Sequence, residues 1–388
     1  MKIAVFGGTF DPPHIEHVRL LERASRELKP DKILIFPAGV PPHLQKKAHV
    51  GKISDGEARL KMARLAFSDI PNAEVSDYEI KKEGKSYTVD TLRYVAEAYP
   101  GAKITFLMGA DMLLDFPTWK NPDEILRLAE IAVYLRGDEI KTKKAARAFF
   151  EEHFGKKCRI LSGKGEEISS SKIRILAGFG QNYDDLVPEK VGTYIKNENI
   201  YALQPPVFEG VKFLTEKRKR HTAYVVIAAL DGAKRTGIDP EKAYLAAALH
   251  DVAKKEDPAN YPGCNLPQGL PHSVVHQYLG AYIAEHLLGV TDEEVLDAIR
   301  YHTSGRPDMT PLGKLIFTAD MVEETRDFPG VERFQKLYKK DVWECFYACL
   351  SATVREIRQK GKPLYSLSSD ALRYYKKQRK TPALIGKD

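Results

Sequence analysis

Residues 7–17 read Gly-Gly-Thr-Phe-Asp-Pro-Pro-His-Ile-Glu-His, with two imidazoles, His14 and His17, three positions apart. That spacing puts both rings on one face of a helix start. A glycine-rich turn feeding a helix lets backbone N–H groups approach an anion closely. A zinc ion would want more ligands, and this segment adds only Asp11. Phosphate is therefore favoured over metal, although a His pair standing alone is more often merely solvated.

A second set of chemistry-bearing residues lies in the other half of the chain. His250-Asp251 ends an apolar run, with Arg218 and His221 upstream and His276, His302 and Asp320 downstream. Four imidazoles and two carboxylates on separate helices suit one or two transition ions, such as iron or manganese, in a bundle core. A metal pair there would activate a water and clamp a phosphate for in-line hydrolysis. Scattered surface histidines are the competing reading. His250 follows YLAAAL and His302 follows AIRY, however, and buried imidazoles and carboxylates need partners, of which each other is the simplest. His272, one turn before His276, is an outlying candidate that could support the ligands. His43, His49, His153 and His286 have no such company.

The elements that must position these groups follow two grammars. In the first half, short apolar runs (KIAVFGG, KILIFPAG, AEVSDYEI, KITFLMGAD, EIAVYLRG, CRILSG) alternate with helical stretches, the first near residues 15–28. Alternation of this kind predicts an α/β domain with a mostly parallel sheet covered on both faces. Ligands in such sheets sit at the carboxyl ends of the strands, where Gly7-Gly8 and Gly109-Ala110-Asp111 fall. Beyond Pro205-Pro206 only helical periods remain, which predicts an all-α second domain. The expected division is 1–202, a linker over 203–209, and 210–388.

Composition narrows the classes. The 388 residues are 43% hydrophobic and 29% charged, enough for two globular cores. No apolar run reaches membrane-spanning length, and no signal-peptide core precedes the first glycines, so a cytoplasmic protein with no membrane partner is expected. Four cysteines fit no metal knuckle or disulfide framework, and Cys345 and Cys349, one helical turn apart, read as packing. A net charge of +7 suits polyanionic small molecules. The one dense basic run, residues 216–220, reads as a solvated helix start, and nucleic acid is not an expected partner.

The N-terminal motif, followed in order by PAGVPPHLQKK (37–47), SYTVDTL (86–92), FLMGADMLLDFPTW (106–119), ISSSKIR (168–174) and VPEKVGTYIKNENIY (187–201), resembles the bacterial nicotinate-nucleotide adenylyltransferases. The resemblance covers roughly residues 1–202 and implies a Rossmann-like nucleotidyltransferase domain that joins ATP and nicotinate mononucleotide, with Mg2+ accompanying ATP. It implies that His14 and His17 contact the ATP phosphates, His17 above all. Gly8, Thr9 and Phe10, the strand end at Gly109 and Asp111, and a second cradle of Ser170, Ser171 and Arg174 complete the ATP site. For the mononucleotide, Trp119 is the stacking residue, Tyr87 and Thr88 lie with the donors, and Lys46 or its neighbour takes the phosphate. The superfamily has glycine where this chain has Glu16. A glutamate there must turn its side chain away, or ATP must sit differently.

The second half resembles the YqeK-type HD phosphohydrolases, most closely in RYHTSGRPDM and ADMVEETRDFPG. It implies an all-α HD-domain bundle with two transition-metal ions, iron for choice, held by His221, His250, Asp251, His276, His302 and Asp320. Arg218, Lys254 and Arg306 are the implied phosphate holders, Lys254 acting in catalysis, and diadenosine tetraphosphate is the implied substrate, cleaved to ADP. Competing readings make this half a nucleotide-sensing module without turnover, or one acting on RNA. A homo-oligomer is compatible with the sequence.

Overall fold

A computed structural model describes residues 1–40, 54–135 and 142–380. The described residues divide into two compact units, the first taking in residues 1–40, 54–135, 142–177 and 182–201, the second residues 178–181 and 202–380.

The first unit is built on six strands: β1 (Lys2–Gly8), β2 (Lys32–Pro37), β3 (Ala73–Val75), β4 (Lys103–Gly109), β5 (Glu130–Tyr134) and β6 (Arg159–Ile160). Every pairing is parallel, and the order is β3-β2-β1-β4-β5-β6. The central strands are buried on both faces, as a sheet covered by helices requires. The chain leaves β1 in one direction through β2 and β3, then returns to β4 on the other side. That reversal opens a crevice beyond the carboxyl ends of β1 and β4. The register Phe6↔Leu107 brings Gly8 and Gly109 to the same level there.

Two local departures from the sequence expectation have physical causes. AEVSDYEI holds only three strand residues, because Tyr78–Lys81 winds into a helical turn. Asp77 precedes that turn and pairs with Lys81 across it. The segment expected as a linker also ends in structure: Val207–Gly210 is helical, and Val207 is buried. A Cβ at Gly210 would lie 2.4 Å from the Leu249 side chain, so that turn packs directly on the helical unit.

The second unit is all helix. Its main elements are Glu216–Thr236, Pro240–Leu249, His272–His286, Glu293–Tyr301, Pro311–Val322, Val331–Lys340, Val342–Gln359 and Ser366–Lys380. Their starts are written in the sequence. Thr215, Asp239, Asp292, Thr310 and Asp341 each accept a backbone N–H of the first turn, and Pro240 and Pro311 occupy the first helical position. Pro240–Leu249 buries Ala243, Ala246, Ala247, Ala248 and Leu249, and those small side chains let neighbouring helices close around its end. Cys345 and Cys349 are buried with their sulfurs 3.8 Å apart, and the Cys345 thiol donates to the Phe334 carbonyl.

No helix among the described residues is long and apolar enough to cross a membrane.

Candidate active sites

The first site forms where β1 ends. The helix that follows spans Ile15–Leu28, with Leu20, Leu21 and Ala24 turned into the core. His14 caps it, and its backbone N–H donates to His17 Nδ1 at 3.1 Å. A His17 that accepts on Nδ1 carries its proton on Nε2, which is the donor a phosphate oxygen needs. The two imidazoles stack with centroids 3.7 Å apart. Phe10 sits in the left-handed region (φ 50°) with its ring buried against Phe6, Phe67 and the edge of His17. The Phe10 side chain is thus packing, and Gly8 must be glycine because a Cβ would approach that ring to 2.9 Å.

The loop between β1 and the helix is fastened from below. Ser170 Oγ donates to the Pro12 carbonyl at 2.9 Å, and Arg174 Nη1 donates to the Asp11 carbonyl at 2.7 Å. Arg174 Nη2 also reaches Ser171 Oγ, so the helix Ser170–Gly178 meets the loop through its first two turns. Asp11 itself is 2% exposed. It accepts from Ser54 and from Tyr201 Oη, while its Oδ2 has no hydrogen-bond partner and lies 3.9 Å from Arg174 Nη1. Burial, then Asp11, pushes the Tyr201 phenol well above its ordinary range. Arg59 is equally buried, and its guanidinium donates to the carbonyls of Thr9, Ala38, Gly39 and Ser54. It therefore braces the ends of β1 and β2 with a fixed positive charge. Burial lowers its pKa.

Glu16 answers its own question. Its side chain is fully buried, paired with Arg19 and accepting from Tyr134 Oη at 3.4 Å. Gly109 ends β4, and Asp111 lies in the first turn of Ala110–Asp115. On the neighbouring flank Trp119 packs edge-on to Phe106 and Phe116, with ring centroids 6.1 and 5.3 Å away. Lys120 Nζ lies 4.3 Å from the Tyr87 ring centroid, and Tyr87 caps the helix Thr88–Ala98 that Thr88 opens. Lys46 lies outside the described residues.

The second site gathers six groups from five helices. His221 Nε2 lies 2.9 Å from Asp320 Oδ1, and His250 Nε2 lies 3.8 Å from the same oxygen. Asp251 Oδ2 faces His221 and His250 at 4.0 and 3.7 Å, whereas its Oδ1 faces His276 and His302 at 3.4 and 3.5 Å. His276 and His302 are 3.2 Å apart through Nε2. The Nδ1 atoms of His250 and His302 are taken by the carbonyls of Ala247 and Ile299, which turns both Nε2 atoms inward. His221 differs, because its Nδ1 is held at 3.0 Å by the buried Glu323.

Nε2 of His250 and Oδ1 of Asp251 are buried without a hydrogen-bond partner, and Nε2 of His221 faces the Asp320 carboxylate. Orphaned lone pairs converging in this way fit a metal ion, and two overlapping sets, His221–His250–Asp320 and His250–Asp251–His302, meet the spacing for one. The electrostatics favour the neutral form at two of the imidazoles, whereas at His221 Asp320 and Glu323 overcome burial and raise the pKa. Burial lowers His250 to about 4 and, with His302 and Lys254, His276 to about 2, so both rings are neutral and able to ligate. Burial, the largest single influence, would raise both carboxyls, but His250, His302 and Lys254 together hold Asp251 well below its usual range, and Arg326, His221 and His250 together do the same for Asp320. Three part-exposed cations line the cluster: Arg218 on Asp251, Lys254 at 2.8 Å from His276 Nε2, and Arg326 on Asp320. Arg306 is placed differently, donating to Asp297 and to the carbonyls of Pro307 and Asp308 beside the Tyr301 ring.

Comparison with known proteins fits both halves. The family described as cytidylyltransferase-like matches residues 5–175, and the HD domain family matches residues 218–325. A protein of Clostridium tetani named "Probable nicotinate-nucleotide adenylyltransferase" is 37% identical over 201 residues, which cover 52% of this chain and 98% of the relative. The chain belongs to the nicotinate-nucleotide adenylyltransferase family. Two Mycoplasma proteins named "Probable nicotinate-nucleotide adenylyltransferase/Ap4A hydrolase" extend the likeness into the helical half. That of Mycoplasma genitalium is 28% identical and covers 84% of this chain and 88% of its own length. That of Mycoplasma pneumoniae is 29% identical, covering 87% and 95%.

Within this adenylyltransferase the sequence reading passed over Arg59, Tyr201, Glu323 and Arg326. Arg59 left a trace, being a charge on the otherwise apolar face formed with Met62, Ala63 and Ala66. Glu323 left none, since its neighbour Glu324 looks the same in sequence.

Proposed function

We propose that the chain carries two reactions, each in its own unit. The first transfers the adenylyl group of ATP to nicotinate mononucleotide. The 5′-phosphate oxygen attacks the α-phosphorus in line, the bond to the pyrophosphate oxygen breaks, and nicotinate adenine dinucleotide forms. No protein nucleophile is required, and positioning with charge neutralisation does the work. The supporting observation is His17, whose Nδ1 accepts the His14 N–H, which puts the ring proton on Nε2, the nitrogen from which a phosphate oxygen would accept. His14 and the backbone of Gly8 and Thr9 flank the same phosphates. Ser170, Ser171 and Arg174 hold the opposite side, Asp111 takes the ribose, and Trp119, Tyr87 and Thr88 receive the pyridine. Mg2+ enters with ATP. Incubation of the full chain with ATP and either nicotinate or nicotinamide mononucleotide tests this. Equal amounts of pyrophosphate and dinucleotide, favouring the nicotinate form, are expected; no dinucleotide from either would contradict the reading.

The second reaction hydrolyses a nucleotide phosphoanhydride, diadenosine tetraphosphate, to two ADP. His221, His250, Asp251, His276, His302 and Asp320 are the proposed ligands of two ions, iron in our reading. What supports two is Asp251, whose oxygens face different imidazole pairs. When bound, such ions polarise the phosphoryl oxygen and lower the pKa of water. Arg218, Lys254 and Arg326 neutralise the phosphate chain. Glu323 orients His221 and strengthens it as a donor. Glu323→Gln is therefore expected to weaken metal affinity by roughly 10- to 100-fold, read by competition with a chromophoric chelator; unchanged affinity would remove that role.

A further inference from the structure

One face of the helix Ile15–Leu28 carries Glu16, Arg19, Arg23 and Glu27, spaced three, four and four residues apart. At that spacing four side chains line one side of a helix. All four reach the segment 162–166, which follows β6 and leads into the helix Ser170–Gly178. Glu27 accepts from the Ser162 backbone at 2.9 Å and from its hydroxyl. Arg23 Nη1 donates to Ser162 Oγ at 3.3 Å, and a Cβ on Gly163 would lie 3.1 Å from that guanidinium. Arg19 pairs with Glu166 at 3.5 Å. Glu16 is the deepest member: its Oε2 would meet a Cβ on Gly165 at 2.1 Å, and Tyr134 would meet it at 2.8 Å. Gly165 N–H donates to the Leu135 carbonyl at 2.8 Å, so the segment also extends the end of β5. A carboxylate with no solvent exposure is costly unless it is paired, and this one is paired to Arg19 and Tyr134. The outcome is a charged stripe gripping a segment whose continuation is the Ser170–Arg174 cradle.

We infer that Glu16 is a positioning residue for ATP: with Tyr134 and Arg19 it latches segment 162–166 to the first helix, and so sets the cradle at Ser170–Arg174 against the helix start at His14 and His17. This rests on the ATP site proposed above. Those two helix starts are also joined at the loop, by Ser170 to Pro12 and Arg174 to Asp11. The latch fixes the other end of the lever. Gly165 is part of it, because nothing larger fits over the Glu16 carboxylate.

A double-mutant cycle on the full chain reads the latch. Gly165→Ala is expected to raise KM for ATP by about tenfold, with a smaller change in kcat and none in KM for the mononucleotide. Glu16→Gly, which removes the obstacle and the latch together, is expected to raise the same KM severalfold. The pair combined should be no worse than Glu16→Gly alone, because the two residues contend for one space and their effects are then non-additive. Additive effects, or equal changes in both KM values, would overturn the proposal. Glu16→Gln keeps the volume and tests the charge should either variant fail to fold. It is expected to raise KM for ATP about threefold and to speed hydrogen exchange at the Gly165 amide, and neither change would likewise overturn it. The exchange measurement separates the two claims. Faster exchange at Gly165 in a chain whose wild type forms no dinucleotide would uphold the latch and contradict the ATP reading.

Discussion

Replacing His250 with alanine is expected to end phosphohydrolysis, by roughly a thousandfold or more, while adenylyl transfer continues at its original rate. His250 has no solvent exposure and stands in both of the overlapping ligand sets. Its loss would strip one ligand from each and leave Asp251 and Asp320 facing one another with less positive charge between them. Lewis-acid stabilisation is worth several kcal/mol, and about 4 kcal/mol is a thousandfold in rate. Metal analysis and circular dichroism on the same sample separate a lost ion from a lost fold. A variant that keeps its metal and its hydrolysis would show that the cluster is not the reaction centre.

The mirror experiment is His17→Ala. Adenylyl transfer is expected to fall by about 10²- to 10³-fold, the range for removing one preorganised donor to developing charge, with hydrolysis unaffected. Because His17 Nδ1 also accepts the His14 N–H, the variant loses a helix cap worth about 1 kcal/mol. His17→Asn supplies a shorter cap acceptor and controls for that loss. A fall in kcat shared by both variants belongs to the missing Nε2 donor; a fall confined to alanine belongs to the cap.

What could be read from sequence, and what could not, follows from the range of the interactions. The helix 15–28, the strand ends at Gly8 and Gly109 and the helical second half are local patterns, set by periodicity and by glycine and capping residues. The six candidate ligands were legible because imidazoles and carboxylates in apolar helices need partners, and the structure groups five of them in two overlapping sets with His276 beside Asp251 and His302. Arg306 was read from its place in a motif; its guanidinium donates to the carbonyls of Pro307 and Asp308 and pairs with Asp297 on the helix before it. The groups that support the sites were hidden for the opposite reason. Asp11 meets Tyr201 across 190 positions, and Arg59 meets Thr9 across 50. Glu16 was visible as a departure from the superfamily's glycine, but its partners Tyr134 and Gly165 come from distant strands and loops. No spacing rule reports such pairings before the sheet has assembled.

The presence of two active sites in one chain is tested most directly in the helical half. Full-length protein purified without oxygen should carry two equivalents of a transition metal, iron above all. It should convert diadenosine tetraphosphate to ADP and nothing else. Metal bound without turnover would make that half a nucleotide sensor. Protein with neither metal nor turnover would contradict the assignment of His221, His250, Asp251, His276, His302 and Asp320.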